Sequence, residues 1–226
     1  MGQRTTLTGR GLRTPRAAAI AGIVFSVLLL VIFSLLRLSV PADPSEPGAW
    51  LATSSHGIAL ALNLMPVAGI AFLWFIGVLR DRLGALEDRF FATVFFGSAL
   101  LFLAMLFAAA AVAGAIVVAF SSQTTELSNT SSFHFARAVA YNLMNIYAIK
   151  SACVFMITAS TVAIHTGFVP RWIALLGYSL ALVLLLASYF MAWAFVVLPI
   201  WIFLISVHIL LDVIRHPAHD RNGSAQ

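Results

Sequence analysis

One apolar stretch carries an unusual set of polar side chains. Between Phe133 and Val169 stand His134, Arg137, Tyr141, Asn145 and Lys150 among mostly apolar neighbours. At about 100° per residue the first four share one helix face, and Lys150 falls on the opposite side near Tyr147, Ser151, Thr158 and Thr161. A guanidinium, an ammonium, a phenol and an amide are groups that hold and orient a polar ligand atom. They supply neither an anchored nucleophile nor a general acid.

Two placements of this stretch remain open. In the first, Lys150 sits inside a span, where an ionisable side chain is expensive and marks a functional site. His134 to Asn145 then line a polar cavity, with Asn63 as a partner across it and Pro66 freeing a carbonyl in the same helix. In the second, the 19 uncharged residues Ser151 to Val169 are the span. Lys150 then snorkels at the interface, and His134 to Asn145 form an interfacial amphipathic stretch. The ligand-site candidates are Asn63, Arg137, Tyr141, Asn145 and Lys150.

Histidines raise a second chemistry. His56 and His134 on one side of a six-helix bundle, with His165 and His208 on the other, would be the ligands of a b-type haem electron carrier. Against this, His134 and His165 are 31 residues apart, about 46 Å along a helix, too far for both to ligate within one membrane. No metal or other cofactor is expected. The chain also lacks His-Glu-x-x-His, Gly-x-Ser-x-Gly and a phosphate-cradling glycine loop. An enzyme is therefore disfavoured. Cys153, the single cysteine, excludes an intrachain disulfide and thiolate cages and reads as a small core hydrophobe.

The elements that must position these residues follow from composition. Of 226 residues 62% are hydrophobic and 9% charged, far from the roughly 45–50% apolar and 25% charged usage of soluble domains. The pI of about 10.1 does not imply nucleic acid, because the charges flank apolar runs and form no basic stripe with interleaved aromatics. Arginine over lysine usage with abundant alanine points to a high-GC bacterial source and hence to a bacterial plasma membrane.

The expected architecture is an all-α, polytopic, six-transmembrane-helix bundle in one domain, 17–214, with both termini cytoplasmic. A flexible basic tail, 1–16, precedes it and a second tail, 215–226, follows. The first run, Ala17 to Leu36, is 20 residues long and matches a hydrocarbon layer of about 30 Å. It exceeds a signal-peptide core, although Val40-Pro41-Ala42 offers a faint cleavage site. Pro41, Pro44 and Pro47 end that helix, and spans at 58–79 and 91–118 follow. Arg80 to Arg89 form the densest charge cluster, read as a short solvated connection.

Ala110/Gly114 and Ala111/Ala115 give small-xxx-small spacing, which suits close helix packing or self-association. After a Ser/Thr-rich loop at 121–132, a fourth span is expected at 140–165. The 40 uncharged residues Trp172 to Leu211 are too long for one helix, so spans at 172–190 and 193–211 are expected, with Tyr189 and Trp193 at the interface. Asp212 reads as the end of the last helix. Ten basic residues fall on inner segments against Arg37 and Arg137 outside, in agreement with the positive-inside rule.

Thr166-Gly167-Phe168-Val169-Pro170-Arg171-Trp172-Ile173-Ala174-Leu175-Leu176-Gly177, a Gly-x-x-Pro-Arg-Trp hairpin leading into a Leu/Gly-rich helix, resembles a family of small bacterial multi-pass membrane proteins defined only as a domain of unknown function. The resemblance implies a helical bundle in the cytoplasmic membrane and carries over no catalytic residues. The expected function is a non-enzymatic membrane protein: an accessory or scaffold subunit, or a binder of lipid or another apolar ligand. The alternative is a small-molecule permease using the polar face of helix four. Expected partners are membrane lipids and another membrane protein or a second copy of the chain.

Overall fold

The computed structural model describes residues 15–41, 50–83, 89–122, 131–167, 169–187 and 194–215. All regular structure among them is helical: α1 (Pro15–Ser39), α2 (Leu51–Leu83), α3 (Arg89–Ser122), α4 (Ser131–Asn142), a π-helical turn (Leu143–Ala148), α5 (Ile149–Thr166), α6 (Arg171–Ala187) and α7 (Ala194–Arg215). The segments α4, π turn and α5 run on without a break, so the bundle has six rods. Apolar chains in a medium without water must satisfy every main-chain group internally, which a helix does. Five rods are long and apolar enough to cross a membrane, and α6 is a shorter apolar helix. Many large apolar side chains point outward, among them Trp74, Phe135 and Leu186.

Contacts fix the packing directions. Phe33 meets Phe195, with ring centroids 4.9 Å apart, while Gly22 abuts Ser206, so α1 and α7 are antiparallel. The first and last described helix ends therefore lie at the same end of the bundle. Phe25 packs on Phe72 at 4.6 Å, and Phe72 in turn meets Phe102 and Phe155, each at 5.5 Å. These four rings tie α1, α2, α3 and α5 together through the middle of the bundle. On the far side, Trp201 of α7 donates its indole N–H to the Ile173 carbonyl of α6 at 3.2 Å.

The helices outrun the apolar runs that mark them in the sequence. α2 begins at Leu51 instead of 58 and continues to Leu83, taking in Arg80, whose guanidinium lies 4.9 Å from the Phe96 ring centroid. α3 ends at Ser122, and α7 passes Asp212 and ends at Arg215, so Asp212 does not terminate it. The fourth rod starts at Ser131, nine residues ahead of the expected 140. It is one continuous helix and the most buried of the five long ones, so His134 to Asn145 are not a separate stretch lying beside the bundle. Gly167, at φ +66°, closes α5 in the left-handed conformation and donates its N–H to Ala163 at 3.0 Å, a helix end that glycine accepts without strain. Pro170 then starts the turn into α6. The tails, the 42–49 and 84–88 connections, the loop at 123–130, and Tyr189 and Trp193 lie outside the described residues.

Candidate functional site

A cavity of about 390 Å³ opens between α1, α2, α3 and the α4–π–α5 rod, at the end of the bundle away from the first and last helix ends. Its deep wall is apolar: Phe33 and Leu36 of α1, Leu62 and Met65 of α2, Leu106 of α3, Ile149 of α5 and Phe195 of α7. One side is low because α3 presents Ala109, Ala110 and Ala113 there. Part of the small-residue run thus makes room for the cavity. Gly114 is in ordinary contact range of Leu62, 3.7 Å from where a Cβ would stand, while Ala111 and Ala115 face outward.

Polar groups gather at one end of this space. Arg137 of α4 is 8% exposed, and because a guanidinium keeps its charge when buried, its desolvation must be offset by hydrogen bonds and counter-dipoles. It donates to the Pro41 carbonyl at 3.0 Å and lies over the Trp50 ring, 5.2 Å from its centroid. Arg37, Trp50, Tyr141 and Asn145 complete the polar lining, and no carboxylate stands among the described lining residues. The Trp50 indole N–H is buried without a hydrogen-bond partner.

The π turn shapes the opposite wall. Met144, Asn145 and Ile146 lie within it and all three line the cavity. A π turn widens the helix by about one residue per turn and re-aims its side chains, and such turns recur at functional sites. Asn145 donates its side-chain amide to the Tyr141 carbonyl at 3.1 Å, bracing the start of the wide turn.

The structure therefore divides the residues singled out by sequence. Arg137, Tyr141 and Asn145 come together at the cavity. Asn63 does not: it and Pro66 are exposed on α2, while Leu62 and Met65 take the inward positions. Lys150 does not line the cavity either. It reaches to α6 and donates to the Leu185 carbonyl, in the last turn, where helix carbonyls lack intrahelical donors and a cation is favoured. The hydroxyls near it are absorbed locally, Ser151 by the Tyr147 carbonyl at 2.9 Å and Thr161 by Tyr178 at 2.6 Å.

The four histidines are not gathered. His56 and His165 are exposed, His134 packs edge-on against Phe133, and none of the three lines the cavity. His208 borders a separate hollow of about 290 Å³ with Gly167, Pro170 and Asp212 at the other end of the bundle. Among the described residues no group of three or more His, Cys, Asp or Glu could hold a metal ion. Cys153 is fully buried.

Arg37, Trp50 and the alanine wall were not among the sequence candidates. Their signals were an arginine closing the first apolar run, a tryptophan just past the proline loop, and a run of small residues that vacates volume. Comparison with family models, curated proteins and solved structures finds no match to this chain.

Proposed function

We propose that this chain is a six-span protein of a bacterial plasma membrane, with both termini cytoplasmic, that holds a lipid or another apolar-bodied molecule between α1, α2, α3 and the fourth rod. It acts without catalysis, as a binder or accessory subunit. The observation that carries this reading is the cavity of about 390 Å³ with apolar walls and one polar end, a size within the roughly 300–1,000 Å³ of small-molecule sites. The antiparallel packing, the ten-to-two distribution of basic residues and the resemblance of residues 166–177 to a multi-pass family support the membrane placement. α6 has 17 residues, about 25 Å of helix, a shortfall that local bilayer thinning accommodates.

Native mass spectrometry of protein purified gently in its own lipids, with an absorption spectrum of the same sample, tests the reading. A non-protein mass that is retained by the parent and lost in Ala113→Phe, which fills the cavity, is the expected result. A bare chain in both would sink the tight-binder reading and favour transport. A Soret band would replace the reading with haem chemistry.

A further inference from the structure

Resting on the cavity reading above, we infer that the cavity opens sideways, between α1 and the fourth rod, and takes one acyl chain of an outer-leaflet phospholipid while the head group stays outside. Exposure and packing place the opening. Among the described lining residues only Arg37 of α1 and Tyr141 of α4 are exposed. α1 packs along α2 and α7, and the fourth rod along α3 and α6, but among the described residues no packed face joins α1 to the fourth rod. Towards the middle of the bundle, Phe195 of α7 closes against Phe33 of α1. Towards its end, Arg137 crosses to the Pro41 carbonyl, just past α1, and lies over Trp50. The gap is left between these two closures.

The heights of these parts match one leaflet. Phe25, Phe102 and Phe155 all meet Phe72 and so mark one level, near the middle of the apolar run Ala17 to Leu36. Counted outward from it along each helix, Phe33 stands about 12 Å up, Arg37 about 18 Å and Tyr141 about 21 Å. Leu106 at the deep end of the cavity stands about 6 Å up. Half of a typical hydrocarbon layer is about 15 Å. The opening thus straddles the boundary between acyl chains and head groups, and the cavity runs inward from it within a single leaflet. A lipid at that boundary turns one chain into the cavity without carrying its head into the apolar interior.

The walls act on the chain and not on the head. The deep lining of Leu36, Met65, Leu106 and the alanines of α3 is apolar. Lipid tails are as apolar as these walls, so the gain on filling the space is packing, the contacts that a void forfeits. Arg137 is engaged by the Pro41 carbonyl and the Trp50 ring and serves as a closure. Arg37 is exposed, where its charge is screened by salt. Zwitterionic and anionic heads should therefore serve alike.

The test uses the full chain in lipid nanodiscs doped with one of two photoactivatable probes, a phosphatidylcholine or a phosphatidylglycerol, each with a diazirine near the end of one acyl chain. Peptide mass spectrometry locates the adducts. Met65 and Leu106 are 3% and 1% exposed, so lipid surrounding the bundle does not reach them. Adducts at these two residues are expected from both probes, in yields within about two-fold of each other. They should disappear in Leu36→Trp, which narrows the opening from α1, and in Met144→Trp, which narrows it from the fourth rod. Val31→Trp, at an exposed position of α1, should leave them unchanged. Adducts confined to exposed positions in the parent overturn the inference, as does labelling of Met65 and Leu106 that survives both narrowing variants. A preference of about ten-fold or more for the anionic probe also overturns it, because one charge-assisted hydrogen bond supplies that factor. In each of these cases the cavity reading stands if Ala113→Phe removes the retained mass. If Ala113→Phe leaves that mass in place, the cavity reading itself fails.

Discussion

The Arg137 guanidinium lies over the Trp50 indole, 5.2 Å from the ring centroid, and its Nη2 donates to the Pro41 carbonyl at 3.0 Å. One side chain of α4 thus ties together the chain leaving α1 and the start of α2. Pro41, Trp50 and Arg137 all line the polar end of the cavity. An arginine is suited to the role, since its flat face stacks on the ring while its edge donates in plane.

Trp50 separates the two parts of that arrangement. In Trp50→Phe the ring face under Arg137 remains and the partnerless N–H is gone. Loss of ring contacts and removal of an unsatisfied donor act in opposite directions, so the unliganded stability should stay within about 1 kcal/mol of the parent. Trp50→Ala also loses the ring and should cost about 2 kcal/mol or more. Thermal unfolding of the delipidated proteins measures both, and equal losses in the two variants would mean that the ring face contributes nothing.

Lys150 reads as an element of helix packing. Lys150→Met keeps the apolar stem and removes the donor to the Leu185 carbonyl, so the last turn of α6 should fray and stability should fall by about 1 kcal/mol. Lys150→Arg should restore most of it. Binding at the cavity should change less than about two-fold, since the site lies elsewhere. Hydrogen exchange across α6, run beside the binding assay, decides the matter. Lost binding with an undisturbed α6 would return Lys150 to the ligand site.

The number and order of the apolar rods were legible in the sequence because runs such as Ala17 to Leu36 have the length a bilayer demands. Their ends were not, because helices continue through residues that reach back to the bundle, as Arg80 does over Phe96. The inward face of the fourth rod was partly legible: Arg137, Tyr141 and Asn145 share a face by spacing alone. Asn63 was misplaced because α2 is apolar almost all round, so nothing in the pattern tells Leu62 and Met65 from the outward-facing side. Trp50 could not be linked to Arg137, since the two stand 87 residues apart and no sequence pattern pairs them. The π turn left no trace, because one extra residue in a turn changes no composition.

Close helix contact is made elsewhere, at Gly177. A Cβ there would meet the Ser160 hydroxyl and the Trp201 ring, which stands 2.6 Å away. Both neighbours are buried, and the Trp201 ring is held by its bond to Ile173. Gly177→Ala should therefore destabilise by about 1–3 kcal/mol through overpacking. Gly77 is the control, since nothing lies within 4 Å of a Cβ there, and Gly77→Ala should be neutral or mildly stabilising. Denaturation in mixed micelles compares them, and equal effects would mean that helix propensity alone governs both sites.

The π turn offers the sharpest separation of fold from site. Such a turn is equivalent to one residue inserted into an α-helix, so deleting one residue from Leu143–Ala148 should restore a regular helix while keeping the register of α4 before it and α5 after it. Tyr147 is the residue to delete, because its side chain is 58% exposed and lines no part of the cavity. The packing of Phe155 against Phe72 and Phe95 should survive, and helicity and thermal stability should match or exceed those of the parent. The wall formed by Met144, Asn145 and Ile146 would be rotated and narrowed, and the brace from Asn145 to the Tyr141 carbonyl re-made in α geometry. Ligand retention should then be lost with the bundle intact. Circular dichroism, thermal unfolding and native mass spectrometry on the same preparation give both answers. A stable variant that still retains the ligand would show that the wide turn has no part in the site.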